Sequence, residues 1–310
     1  MHHNRKALQE KGFLYPDIAI EGSAHHPLAW ACGLGGRKVD ADFIGRTTRS
    51  LAAKASKLGC DVVLSSEEFG ALHNILPLRR LSDLFNVKVV LYVRKQDHYL
   101  ESVYNQHVRM YSLRYSGSIY QFFPRFNFFN QFNYNLLASR WEKHFGLESI
   151  IIRPFGTADV GADVRTDFLD TLGLPGSEHG LDLHPSASSN ASLNATAISY
   201  LSHINRMPLD YRQHQKVLSV LPELVPADKG GRLLRLNDAL ALYSRFEPSN
   251  RRLFSRYMHL DHVPFDELLP ADESRRWVSH EHIDTATLLD LVGHLLPKKT
   301  WRQLFSRSLK

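Results

Sequence analysis

Arg94 and Ser102 stand eight residues apart in the run Leu91-Tyr92-Val93-Arg94-Lys95-Gln96-Asp97-His98-Tyr99-Leu100-Glu101-Ser102. A guanidinium offers a rigid fork of donors matched to phosphate oxygens, and a nearby hydroxyl adds one more donor at small steric cost. The apolar stretch before Arg94 predicts a buried strand, and the stretch after it predicts a helix. Arg94 would then leave the carboxyl end of a strand, which is where open α/β sheets bind their ligands. The chemistry expected of the pair is capture of a phosphate group. A second set, Glu67, Glu68 and His73, comes after a shorter apolar run that ends at Ser66 and would face the same sheet edge. If an acceptor hydroxyl is to attack an electrophile, it needs a general base within hydrogen-bond reach. Glu67 is the first choice, with Glu68 and His73 as alternates; the bland reading of adjacent loop carboxylates is solvated charge.

The elements that must position these groups are given by hydrophobic spacing. Val87 to Arg94 and Asp61 to Ser66 read as buried parallel strands, and Leu72 to Phe85 between them has helix-forming spacing. Strand, helix, strand implies a right-handed crossover within one parallel sheet. A helix is expected from about Tyr99 to Tyr111, and a third strand at Ser149 to Arg153, closed by Pro154. Near the start, Ala7 to Gly12 reads as the end of a helix and Phe13 to Pro16 as an extended exit. Ile44, Leu51, Ala55 and Leu58 fall on one stripe of a helix from Asp40 that Gly59 ends. From Leu193 onward the pattern is mainly helical, interrupted near Pro208, Pro222, Pro226, Pro264 and Pro270. With no internal repeat or low-complexity linker, residues 1–310 are expected to form one domain, a sheet-bearing core over 1–160 and a mainly helical portion over 161–310.

Composition is consistent with this. In 310 residues, 43% are hydrophobic and 23% charged, and no stretch reaches the ~18 apolar residues that cross a bilayer. The net charge of +6 suits an anionic ligand. Nucleic acid is not expected, because the charge is dispersed apart from Lys298, Lys299, Arg302, Arg307 and Lys310, which read as a solvated terminal helix. Cys32 and Cys60 have no Cys-x-x-Cys spacing, so neither a disulfide framework nor a thiolate zinc site is expected, and a reducing compartment fits. Met1 to Lys6 lack the apolar core of a signal peptide, which makes the expected location cytoplasmic.

The run around Arg94 resembles the segment with which sulfotransferases grip the 3′-phosphate of their donor, 3′-phosphoadenosine 5′-phosphosulfate (PAPS). There an Arg at a strand end and a Ser eight residues on both touch that phosphate, and Arg94 and Ser102 match those roles. The wider frame is similar to bacterial sulfotransferases that modify surface polysaccharides: Leu64-Ser65-Ser66-Glu67-Glu68-Phe69 after a strand, Trp141 to Gly146, Ile152-Arg153-Pro154-Phe155, and Asn190-Ala191-Ser192-Leu193. The resemblance implies a three-layer parallel sheet of the P-loop NTPase-like kind with a helical C-terminal portion. It also implies PAPS as donor co-substrate with no metal, and a carbohydrate or polysaccharide acceptor.

The same resemblance implies a loop bearing Lys, Gly and Ser or Thr that wraps the 5′-phosphosulfate with backbone N–H groups and opens the first helix. Arg5 to Pro16 resemble the end of that helix and its exit, so strand and loop would lie upstream of Met1. The expectation is a truncated chain, inactive as written. Gly33-Leu34-Gly35-Gly36-Arg37-Lys38 lacks the Gly-x-x-x-x-Gly-Lys-Ser/Thr spacing and is a poor substitute. A non-catalytic protein that keeps the fold to bind a nucleotide or polysaccharide is the competing reading; a P-loop kinase or a glycosyltransferase has no supporting motif. Other features draw bland readings. His259 with His262, and His280 with His282, beside Asp261, Glu281 and Asp284, are read as surface residues and not as metal ligands. The aromatic run holding Phe122, Phe123, Phe126, Phe128, Phe129 and Phe132 is read as core and lid packing, with a wall for a sugar as the sharper alternative. The sequons at Asn190 and Asn194 are discounted.

Overall fold

The structure is a computed structural model that describes residues 2–125, 129–158, 160, 163–174, 181, 183, 193–225, 231–281 and 283–295. In chain order its elements are α1 (Arg5–Glu10), β1 (Phe13–Leu14), α2 (His26–Ala31), α3 (Ala41–Leu58), β2 (Asp61–Val62), β3 (Val89–Arg94), α4 (Gln96–Arg109), α5 (Ile119–Arg125), α6 (Phe129–Phe132), α7 (Tyr134–Phe145) and β4 (Ile150–Phe155). Then come α8 (Val164–Thr171), α9 (Ala195–Ile204), α10 (Tyr211–Leu224), β5 (Gly231–Arg232), α11 (Leu236–Met258), α12 (Leu269–Glu273), β6 (Arg276–Trp277) and α13 (Thr285–Gly293). The protein is α/β, and its described strands form parallel pairs: β1 with β2, β3 with β4, and β5 with β6.

Local rules account for the boundaries. Asp40 caps α3 by accepting the Phe43 N–H at 2.8 Å, and Gly59 ends it in the left-handed region at φ 63°. Ile44, Leu51 and Ala55 are buried as their spacing requires, whereas Leu58, in the last turn, is 37% exposed. Gly12, with φ 85°, turns the chain from α1 into β1.

Several expectations need correction. The span from Leu72 to Phe85 contains a 3₁₀ stretch, Leu76–Asp83, where an α-helix was expected, and another, Glu67–Ala71, ends just before it. Of its buried residues, Leu78 lies in the Leu76–Asp83 stretch, while Leu72 and Ile75 are the caps that flank the two turns. The β2 register with β1 ends at Val62, although the Val63 N–H still donates to Leu14 O at 2.9 Å; at Ser65 the N–H donates to the His25 side chain at Nδ1, 3.1 Å away, and the carbonyl accepts the His25 main-chain N–H at 2.8 Å. Pro154 lies inside β4, paired with Val93, and does not close it. Among the described residues β4 pairs only with β3, and an edge strand tolerates a missing N–H. β2 and β3 also belong to separate pairs, so the expected crossover within one sheet is not formed among these residues. Helix α4 starts at Gln96, directly after the strand and earlier than the periodicity indicated.

The chain divides into two compact units, one made of Met1–Arg94, Phe129–Ala187 and Glu247–Phe265, the other of Lys95–Phe128, Ser188–Phe246 and Asp266–Lys310. In the first, Leu8, Tyr15, Val63, Leu169 and Leu181 form a buried cluster. Helix α8 is tied to both β3 and β4: the Tyr92 hydroxyl donates to Asp167 Oδ2 at 2.5 Å, and Arg153 Nε donates to the same oxygen at 3.0 Å while its Nη2 reaches Oδ1. In the second, α4 packs on α5 and α9, and the rings of Tyr104, Tyr115 and Phe122 meet edge-on at 5.1 to 6.0 Å. Arg114 donates to the carbonyls of Asn205, Met207 and Leu209, placing a cation at the C-terminus of α9, where the helix dipole favours it. Among the described residues no helix is long and apolar enough to cross a membrane.

His25, with no exposed surface, holds the loop between β1 and α2 against the end of β2. Its Nδ1 accepts from Ser65, so the proton resides on Nε2, which donates to Pro16 O at 3.2 Å. Burial pushes its pKa below the ordinary 6.5, so the folded chain keeps this ring neutral. As pH falls below 6.5 the unfolded chain takes up a proton that the folded chain refuses; the stability present above 6.5 is lost progressively down to the depressed folded value. Urea midpoints measured from about pH 7.5 to about pH 5 should fall, and His25→Gln should flatten that fall by up to ~1.4 kcal/mol per pH unit.

Candidate functional site

Arg94 ends β3 with its surroundings already arranged. Its carbonyl accepts from the Tyr134 hydroxyl at 2.6 Å, and its guanidinium lies over the ring of Phe155, 5.1 Å from the centroid. Phe155 is also its register partner on β4, so strand pairing itself supplies the aromatic shelf. In the same unit Glu67 and Glu68 open the 3₁₀ turn after β2, where Ser66 Oγ accepts the Glu68 N–H at 3.1 Å and meets His26 Nδ1 at 2.8 Å. Glu67 and His73 are exposed and Glu68 is half-buried. Neither carboxylate, nor the His73 ring, has a hydrogen-bond or ion-pair partner among the described residues, Arg94 included.

Ser102 lies in α4, in the second unit. Serine inside a helix commonly bonds back to the carbonyl four residues earlier. The half-buried Ser102 hydroxyl makes no hydrogen bond among the described residues and so remains available as a donor.

The largest concentration of charge was missed by sequence reasoning, although its first members were in view. Lys95, Gln96 and Asp97 have no exposed surface. Lys95 Nζ lies 2.8 Å from Asp97 Oδ1 and 5.0 Å from the Tyr243 ring centroid, and the Tyr243 hydroxyl donates to Asp266 at 2.5 Å. Arg275 approaches Asp97 Oδ2 at 3.3 Å through both terminal nitrogens, and Arg232 Nη2 stands 3.7 Å from the same oxygen. Arg232 Nε also donates to Glu101 Oε2 at 2.7 Å, while Glu101 Oε1 takes the N–H groups of Leu233 and Leu234 at 3.1 and 3.0 Å. Asp97 and Glu101 share a helix face at i, i+4, and a cation bridging them was the readable signal. That the cation comes from β5, more than a hundred residues away, was not readable. The arrangement clamps the first turn of α4 to β5 and to the residue before β6, all within one unit.

Other candidates are resolved individually. Gly33 to Lys38 form a turn whose N–H groups are used internally, Gly33 to Trp30 O and Arg37 to Leu34 O, which leaves those donors unavailable to a phosphate. His259 and His262 are exposed as expected. His280 is half-buried and not a surface residue: its Nε2 meets Ser202 Oγ at 2.8 Å, its ring centroid is 4.3 Å from that of His203, and burial pushes its pKa down to about 4. Ser202 gives its own proton to Ser199 O, so the pair acts as a packing contact and not as a nucleophile with its base. Among the described residues no group of three or more His, Cys, Asp or Glu side chains gathers for a metal. Asn194 caps α9 by accepting the Ala197 N–H. Phe122 and Phe132 are core, Phe123 is 37% exposed, and burial pushes the Cys32 thiol up to about 12. His282, Phe126, Phe128, the Phe129 ring, the Asn190 sequon and the basic tail from Lys298 lie outside the described residues.

The described residues thus belong to an α/β protein in which Arg94 ends β3 and Ser102 lies on α4, the next element along the chain. No protein-family model matches the chain, and no solved structure matches it. It is 29% identical over 206 residues to a protein of Archaeoglobus fulgidus described as uncharacterized, a match covering 63% of this chain and 53% of that protein. The chain thus spans about half the length of this relative.

Removing the Asp97 charge leaves Lys95 and Arg275 without the carboxylate that permits their burial. Asp97→Asn should cost about 3–5 kcal/mol in urea unfolding, because breaking one side of a buried pair strands the other. Glu68→Gln, with no pair to lose, should stay within about 0.5 kcal/mol of the parent.

Proposed function

We propose that this chain is a sulfotransferase-like protein of the P-loop NTPase-like class that binds the 3′-phosphate of PAPS through Arg94 and Ser102. The observation that carries the reading is the strand-to-helix succession itself. An arginine shelved on Phe155 closes β3, α4 begins two residues later, and the Ser102 hydroxyl on that helix has no competing partner among the described residues. Each property favours phosphate capture for a separate reason. The shelf limits the entropy lost when the guanidinium engages an anion, and an uncommitted hydroxyl surrenders no internal bond on binding.

In the proposed reaction the bond between sulfur and the donor's phosphate oxygen breaks while a new S–O bond forms to a carbohydrate hydroxyl. The hydroxyl proton passes to Glu67, whose carboxylate has no ion pair to give up, with Glu68 and His73 as alternates. Sulfuryl transfer, like phosphoryl transfer, asks a protein mainly for positioning and charge stabilisation. The sequence contains no Gly-Lys dipeptide, hence no phosphate loop of the Gly-x-x-x-x-Gly-Lys-Ser/Thr kind. Nucleotide binding is therefore the property proposed for residues 1–310 alone, and turnover is proposed only for a longer protein in which a 5′-phosphosulfate loop precedes them. That same observation favours a second reading, a non-catalytic protein that retains the fold to bind a nucleotide or polysaccharide. Sulfuryl transfer by such a longer protein, and its loss in Glu67→Gln, separates the two.

Calorimetric titration with 3′,5′-adenosine bisphosphate tests the shared premise. Arg94→Ala should weaken binding roughly 10- to 100-fold, the range expected for hydrogen bonds to a charged group, and Ser102→Ala by roughly 2- to 10-fold. Unchanged affinity in Arg94→Ala rules the assignment out.

A further inference from the structure

The last turns of α11 carry Arg251 and Ser255, and Arg252 and Arg256, each pair at an interval of four, with His259 the first residue after the helix. Two adjacent rows thus share one helix face. In the first unit that face, with Asn135 and Leu147, lines an open cleft of about 610 Å³. The volume is that of a small-molecule site, larger than a bare ion requires. Apart from Leu147, every lining residue brings a polar or charged side chain.

Two of the three guanidiniums are held by carboxylates. Arg251 Nε and Nη2 donate to Glu247 Oε1 at 2.9 and 2.5 Å, and its Nη1 lies 3.5 Å from Asp261 O. Arg256 Nε donates to Glu142 Oε2 at 3.0 Å and its Nη2 to Oε1, while the Tyr257 hydroxyl donates to the same carboxylate at 2.6 Å. These pairs fix the walls and cancel their charges. Arg252, exposed, makes no hydrogen bond or ion pair among the described residues. A full positive charge therefore faces a cleft whose neighbouring donors are already in place.

His259 adds an independent observation. Its φ of 57° puts a side-chain-bearing residue in the left-handed region, a cost of about 1–2 kcal/mol that glycine would avoid. The turn is closed by the Leu260 N–H donating to Phe254 O at 3.2 Å, a main-chain bond that needs no imidazole. The conformation is that of a common helix C-terminal cap, where glycine is the usual occupant, and here the position carries an imidazole that lines the cleft.

We propose that the cleft is an oxyanion-binding site for a small molecule bearing a phosphate, sulfate or carboxylate group, with Arg252 as its principal ligand and His259, Ser255 and Asn135 as further donors. It uses no residue of the nucleotide reading and does not rest on it.

The test is calorimetry at low ionic strength with inorganic phosphate, inorganic sulfate, glucose 6-phosphate, glucuronate and glucose. Saturable binding of at least one anion and none of glucose is expected, and the order among the anions identifies the group selected. Arg252→Ala should weaken that binding at least 10-fold, and Arg94→Ala should leave it within twofold. His259→Gly should weaken it at least threefold while raising the melting temperature, a combination that a purely structural histidine would not produce. The proposal is overturned if no anion saturates, if Arg252→Ala binds as the parent does, or if the binding disappears in Arg94→Ala.

Discussion

The second unit is organised around one carboxylate that water does not reach. Asp97 sits in the first turn of α4 with no exposed surface and faces Lys95, Arg275 and Arg232. Desolvating these charges is expensive, and their burial is tolerable only because each oxygen of the carboxylate meets a cation. A packed apolar residue could contribute as much stability, yet it would not specify which elements meet. The ionic arrangement does specify them: it accepts only a geometry in which β5 delivers Arg232 and the residue before β6 delivers Arg275. The first turn of α4, and with it the direction in which Ser102 is presented, is set by that choice.

What could be read in the sequence tracks the range of the interactions concerned. Strand β3, the body of α4, the stripe of α3 and the glycines at 12 and 59 depend on neighbours within a few residues, and they stand close to where periodicity put them. The errors arose where a distant group took over a local role. The main chain of Ser65 is satisfied by His25, forty residues away, and no propensity of the run Val62 to Ser66 encodes that. The 3₁₀ turns between β2 and β3 were misread because Leu72, Ile75 and Leu78, three apart, fit an α-helical window although only Leu78 lies in a helical turn.

The candidate site divides along the same line. The places of Arg94 at the end of β3 and of Ser102 within α4 were legible because both follow from local periodicity. The Asp97 cluster was half legible, since Asp97 and Glu101 share a helix face, while Arg232 and Arg275 lie far along the chain. His280 was misjudged for a similar reason. Nothing adjacent to it in sequence announces that α9 brings Ser202 and His203 against its ring.

Polar groups in this protein fall into two kinds, and the contrast bears on function more directly than burial alone. Asp97, Asp167, Glu101 and Glu142 have most of their acceptor capacity consumed by arginines, lysines, tyrosines or main-chain donors, and each ties together segments distant in sequence. Their work is architectural, and their free energy is already committed to the folded state. Ser102, Glu67, Glu68 and Arg252 carry equally strong chemistry with no partner among the described residues. A ligand that engages one of these groups gains a charge-assisted hydrogen bond without breaking an internal one, so the whole of the new interaction is available for binding. A ligand that engaged Asp97 or Glu142 would first have to displace an arginine. For that reason Ser102, Glu67 and Arg252, and not the densest cluster of charge, are among the groups for which binding and proton transfer are proposed.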